Sequence, residues 1–247
     1  MVKTALTDLL HIKYPIFNAP MGGSAAAELA GAVSNSGGFG MLGMGSTVPD
    51  PEWLRFQIKR VRDITDNPFG VGFITSVDGI DSLVELAIES EVDLIGHSFS
   101  DPSPYVSDAK KAGIKVLAQV QTVEQAIHAR DSGVDLLVAQ GTDGGGHTGH
   151  IGTLSIVPAV VDACPEMPVI AAGGITDGRG LVASLALGAS GVWVGSRFVA
   201  SHEWAGPDWA KKALTEGGTY DTVITKSYDL ATDAPFPFQI GHRVISN

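Results

Sequence analysis

Three consecutive glycines followed by a histidine, in AQGTDGGGHTGH at residues 139–150, form the stretch of this chain best suited to chemistry. Bare glycine backbone can lie against a flat ligand, and an imidazole beside it can hold or move a proton near neutral pH. His147 is therefore the leading candidate for acid-base work. His150 is a weaker rival, and a plain surface-loop histidine is the alternative reading. Two further glycine clusters, AAGGITDG at 171–178 and GVWVGSRF at 191–198, have the make-up of a phosphate cradle. Backbone N–H groups at a helix N-terminus attract an anion without any basic side chain, although glycines also serve simple tight turns. Zinc held by His97, His147 and His150 would need an acidic partner or a short i, i+4 spacing. The sequence shows neither, so no metal is expected.

Such residues work only if a scaffold brings them together. Short Val-, Ile- and Phe-rich runs alternate with amphipathic stretches up to about residue 200, the signature of parallel βαβ units. Candidate strands fall at 15–19, 38–43, 69–74, 92–97, 115–120, 135–140, 168–172 and 191–195. Candidate helices lie near 24–36, 51–63, 80–90, 104–112, 122–132, 155–163 and 178–187, with Ser24, Thr122 and Thr176 as caps. Gly113, Gly133 and Gly188 stand where helices should stop in a left-handed residue. Eight strands without a repeated residue pattern predict a single (β/α)8 TIM barrel over 1–200 rather than a solenoid. Residues 201–247 read as an extension beside the barrel mouth, with helical AKKALTEGG and strand-like DTVITKSYD.

In this fold the active site lies at the C-terminal ends of the strands. No lysine ends a strand, which leaves a Schiff-base aldolase unsupported. Cys164, at a helix end on the far side, is no nucleophile, and no pair of carboxylates ends adjacent strands as a glycosidase would require. A bound cofactor is the economical source of chemistry. Thr75 and His97 end the third and fourth candidate strands, where each is a candidate for substrate contact; a satisfied buried histidine is the other reading of His97.

Bulk properties set the limits. The formal charge of −11, from 16 basic and 27 acidic residues, argues against nucleic-acid binding. The single cysteine suggests a reducing compartment. With no signal-peptide core and no run of the roughly 18–20 apolar residues a membrane span needs, a cytoplasmic location is expected. Aromatic residues in 204–209 and 235–238 are a candidate homodimer surface, with packing under the barrel as the alternative.

The motifs PIFNAPMGG, GGFGMLG, AQGTDGGGHTG, IAAGGITDGRG and GASGVWVGSRF together resemble the nitronate monooxygenase family, formerly 2-nitropropane dioxygenases, and the related FMN-dependent enoyl-acyl-carrier-protein reductases. The resemblance implies FMN contacts at Met21 and Gly22, preceded by Ala19 and Pro20, and at Gln140, Gly145, Gly146, Gly173, Gly174, Gly195 and Ser196. It puts His147 on the family's catalytic histidine. The implied reaction is oxidation of a nitronate or nitroalkane by O2 to a carbonyl compound and nitrite. The alternatives are NAD(P)H-dependent reduction of an enoyl thioester, or flavin binding without turnover. The chain departs from the family in having Gly72, within GVGF, where Asn is common. Family members also continue beyond the point matching GHRVISN at 241–247, which implies a site more open to water.

Overall fold

The barrel strands are runs hidden from water on both sides, as a parallel sheet wrapped in helices requires. The structure, a computed structural model, describes residues 2–45, 50–237 and 239–246. In chain order its elements are α1 (Ala5–Leu10), β1 (Ile16–Asn18), α2 (Ala27–Asn35), β2 (Gly40–Gly43), α3 (Pro51–Ile64), β3 (Phe69–Ile74), α4 (Asp81–Glu89), β4 (Leu94–Ser98), α5 (Ser103–Lys111), β5 (Lys115–Val120) and α6 (Val123–Ser132). They continue with β6 (Leu136–Gln140), β7 (Gly146–Thr148), α7 (Thr153–Ala163), β8 (Val169–Ala172), α8 (Gly178–Ala186), β9 (Gly191–Val194), α9 (Ser196–Val199), α10 (Asp208–Glu216), β10 (Thr222–Thr225), α11 (Ser227–Thr232) and β11 (Gly241–Ile245).

Eight parallel strands pair in the order β1-β9-β8-β6-β5-β4-β3-β2. The barrel closes between β1 and β2, where Phe17 bridges Phe39 and the Phe39 N–H donates to the Ile16 carbonyl at 2.9 Å. One turn higher a side chain takes over from the backbone. The fully buried Asn18 carboxamide accepts from Met41 N–H and donates to Met41 C=O, both at 2.8 Å. The eight-stranded TIM barrel expected from the alternation of runs is therefore present.

Strand alternation separates two cores. Phe17, Phe39, Met41, Leu94, Leu117, Leu136, Val138, Ile170 and Trp193 fill the barrel, plugged from below by Leu6 and Leu10 of α1. Their neighbours in sequence, among them Leu42, Val71, Phe73, Ile95, Val116, Ala118, Leu137 and Ala171, pack outward against the helices together with Cys164. No helix among the described residues is long and apolar enough to cross a membrane.

Local signals hold in part. Thr122 caps α6, accepting from the Gln125 N–H at 3.2 Å, and the three expected glycine stops have φ of 79°, 93° and 92°. Ser24 does not cap α2, which begins after Ala26; there Gln57 of α3 reaches across to accept from the Ala27 N–H. Asp177, not Thr176, caps α8. The strand-like 221–229 is split into β10 and the start of α11, because pairing ends at Thr225. Neither β7 nor β11 is foreshadowed in the sequence. Trp204 packs against Ala25, Leu29 and Val33, whereas Trp209 is exposed. Phe238 of the aromatic run lies outside the described residues.

Candidate active site

Alternation decides what reaches the barrel mouth. Side chains of filling parity end at Ala19, Ile74, Ser98, Gln119, Gln140, Ala172 and Trp193, and all line a cavity of about 390 Å³ at the C-terminal ends of the strands. That volume is of small-ligand size. Every residue expected to contact a cofactor is on its wall: Ala19, Pro20, Met21, Gly22, Gln140, Gly145, Gly146, Gly173, Gly174, Gly195 and Ser196, with His147 beside them.

Thr75 and His97 are not on this wall. His97 has the opposite parity and stacks on Tyr105 of α5, ring centroids 4.8 Å apart. Its Nδ1 is 3.0 Å from Thr75 Oγ1, and its Nε2 is buried without a hydrogen-bond partner among the described residues. Burial lowers its pKa from 6.5 to about 4, which makes it a neutral histidine of the outer core. Ile74 and Ser98, their neighbours in sequence, line the cavity instead, as does Gln119 of β5; the period-2 pattern of the strands is the signal that identifies them.

The chain's own packing already requires glycine at two of these wall positions. Gly173 has φ 110°, and a Cβ there would sit 2.6 Å from the Gly141 carbonyl oxygen; at Gly145 it would sit 2.7 Å from Ser196 Oγ. The first amides of α8 are taken by the Asp177 carboxylate, so that helix end is already neutralised. The start of α9, after Gly195, has no side-chain cap, and Arg197 there is a cation on the cavity wall. An anion is better served at this turn than at α8. Asp143 faces another helix: it accepts from the Thr153 N–H at 2.6 Å, capping α7 across the loop, and this bond first among several holds its carboxyl below the usual range. Pro20 fills the space that a side chain at 72 would need, with Cγ and Cβ at 2.3 and 2.4 Å from a Cβ built on Gly72.

The C-terminal segment completes the site. β11 pairs antiparallel with β7 on one side and β10 on the other, with His242 opposite His147. Arg243 ties the same strand to the glycine loop, donating to the Thr142 carbonyl at 3.0 and 3.2 Å. Asp229 of α11 accepts from His147 Nε2 at 2.9 Å. Phe236 stacks on one face of that imidazole at 3.4 Å and His242 at 4.1 Å. The His147 side chain is 16% exposed, far less than an open loop would leave it. A carboxylate can only accept, so the His147 proton lies on Nε2. Nδ1, without a hydrogen-bond partner among the described residues, is free to act as a base. His242 has its pKa lowered, by burial and then by His147, against an opposing pull from Asp229. Asp229, Phe236 and His242 carry no local sequence signal; only the β7–β11 pairing brings them in.

A family model described as nitronate monooxygenase matches residues 3–80 and 73–232. A Mycobacterium tuberculosis (3aS,4S,5R,7aS)-5-hydroxy-7a-methyl-1-oxo-octahydro-1H-indene-4-carboxyl-CoA dehydrogenase is 35% identical over 230 residues, covering 92% of this chain and 64% of the relative. The chain thus spans less than two thirds of that protein. A probable nitronate monooxygenase from Staphylococcus saprophyticus is 34% identical over 271 residues, covering 91% of this chain and 76% of the relative. Among solved structures, FabK from Thermotoga maritima superposes with a TM-score of 0.90 at 37% identity, over 99% of this chain and 75% of that one.

Proposed function

This chain belongs to the nitronate monooxygenase family, and from that premise we propose that it is an FMN-dependent oxidoreductase that converts nitroalkanes or their nitronates, with O2, to carbonyl compounds and nitrite. The observation that carries this reading is one wall of the cavity set against the other: the glycine turns after β8 and β9 face an imidazole whose Nε2 is bonded to a carboxylate.

The residues present fit the cofactor. Gly146, with open space where a Cβ would stand, leaves room for an isoalloxazine on backbone, and the uncapped turn at Gly195–Ser196 with Arg197 suits its phosphate. FMN supplies the electron acceptor, and O2 is the co-substrate. The chain's own groups do the remainder. His147 Nδ1 takes the α-proton of a neutral nitroalkane, and Asp229 stabilises the imidazolium that forms. Toward a preformed nitronate the same imidazolium is a counter-ion. Gln119, held by Ser98 Oγ at 2.7 Å, and Gln140, held between Gln121 and the His147 carbonyl, offer polar contacts for the nitro group. Phe99 and Phe236 exclude water beside His147.

A second reading, NAD(P)H-dependent reduction of an enoyl thioester with His147 as proton donor, draws on the CoA thioester named in the M. tuberculosis relative. One experiment separates them: anaerobic addition of propyl nitronate or NADPH to the purified protein, watching flavin absorbance. Bleaching by nitronate alone supports the proposal; bleaching by NADPH moves the assignment to the reductase. A flavin that answers to neither donor indicates binding without turnover, and no flavin after FMN is added back refutes all three. His147→Asn should abolish turnover of the neutral nitroalkane; full turnover would remove His147 from the mechanism.

A further inference from the structure

His147 and His242 are directly opposed across the β7–β11 pair, which sends both side chains from the same face of the ribbon. Asp229 reaches them from α11, its Oδ1 2.9 Å from His147 Nε2 and 3.9 Å from His242 Nδ1. The three potential donor atoms all lie within 4.8 Å of one another. As a proton network this cluster is incomplete: the Asp229 carboxylate bonds only one of the two imidazoles, and His242 Nδ1 is buried with no hydrogen-bond partner among the described residues.

We propose that His147 Nε2, Asp229 Oδ1 and His242 Nδ1 form a binding site for a divalent ion of the zinc type, with a fourth coordination position that these three side chains leave unfilled. Tetrahedral Zn2+ with bonds of about 2.0–2.2 Å needs donors roughly 3.4 Å apart. The separations of 2.9 and 3.9 Å straddle that value, and because His242 stacks on His147 with ring centroids 4.1 Å apart, its imidazole must tilt off that stack to aim its in-plane lone pair at the same ion. Two imidazoles and one carboxylate are the donor set of an open zinc site, and they select against Mg2+ and Ca2+, which want oxygen. The surroundings brace the ligands: Phe236 covers the outer face of the His147 ring, and Gln140 Nε2 donates to the His147 carbonyl at 3.0 Å.

The site does not depend on the proposed oxidation, but its consequence does. A metal on Nε2 takes that lone pair and moves the ring proton to Nδ1, which leaves His147 without a base for the α-carbon. Zn2+ is therefore an inhibitor of nitroalkane oxidation.

The test is calorimetric titration of EDTA-treated holoprotein with ZnCl2, with MgCl2 as control, on the wild type, His242→Phe and Asp229→Asn. The phenyl ring keeps the stack on His147 and the carboxamide keeps the shape of Asp229, and far-UV circular dichroism reports folding of each. One Zn2+ per chain, a raised Tm with Zn2+, no heat with Mg2+, and at least tenfold weaker binding in both variants are expected. No heat with millimolar Zn2+ in the wild type overturns the proposal without any variant. So does binding that both folded variants retain, which would place the ion elsewhere, for instance at His128 and Asp101. Because none of these readings uses flavin reduction, failure here is separate from failure of the oxidation reading.

Discussion

Replacing Asp229 with Asn changes one charge and almost no volume. In the wild type its Oδ1 is 2.9 Å from His147 Nε2, with the two side chains 15% and 16% exposed, so water screens the pair weakly. While the imidazole is neutral the bond is modest; as Nδ1 gains the substrate proton it becomes an imidazolium–carboxylate pair. Hydrogen bonds to charged groups contribute roughly 1.5–3 kcal/mol, and that contribution is realised mainly once the proton has moved. At about 1.36 kcal/mol per decade, the variant should oxidise nitroethane about ten- to 150-fold more slowly. The loss is larger if the Asn amide turns its NH2 toward Nε2, because that selects the tautomer with its proton on Nδ1. Anaerobic stopped-flow reduction of the flavin, with nitroethane and with ethyl nitronate, makes the test. Ethyl nitronate has already lost its proton, so its limiting rate should change by less than about threefold while its KM rises. Equal slowing of both substrates, or a wild-type rate with nitroethane at unchanged flavin content, would refute the assignment of Asp229.

Asn18→Leu should destabilise the barrel by about 2–6 kcal/mol in urea titration, because two buried Met41 backbone groups lose their partners at roughly 1–3 kcal/mol each; an unchanged midpoint would mean the closure needs only backbone. Gly72→Asn should cost about 1–3 kcal/mol by overpacking against Pro20 and should weaken FMN retention, with Pro20→Ala restoring both in the double variant. If the single variant matches wild type in both measurements, Pro20 is not what keeps position 72 empty. His97 titrates near 4 in the fold against 6.5 in the unfolded chain, so the unfolded state binds the extra proton first. Its contribution is complete above pH 6.5 and is lost as pH falls toward 4, about 3 kcal/mol at about 1.36 kcal/mol per pH unit. Guanidinium titrations at pH 7.5 and 4 should show that loss in the wild type and not in His97→Phe; equal acid sensitivity would place the proton elsewhere.

The barrel strands were legible because each is a short run buried on both faces and set off by helix stops such as Gly133, so composition and punctuation agree. The cavity wall was legible for a derived reason: once eight strands are counted, their C-terminal ends must meet, and the places of Gln140, Gly173 and Gly195 follow from position alone. Facing was not read, although it has a local signature. His97 lies three residues after the barrel-filling Leu94, on the opposite parity, and therefore points to the helices while Ser98 points to the cavity. What only the tertiary structure decided is the setting of His147. Its hydrogen-bond partner is 82 residues away, and contact depends on the three-residue strand β7 finding β11. Three residues are too few for an alternation to show. The energy that holds the pair comes from Arg243 on the Thr142 carbonyl and Phe236 on the imidazole, contacts that exist only after the barrel has placed the glycine loop. The sequence by itself determined the barrel and the residues that wall its mouth; the return of the chain across the mouth determined which nitrogen of His147 is bonded and which is left without a partner among the described residues.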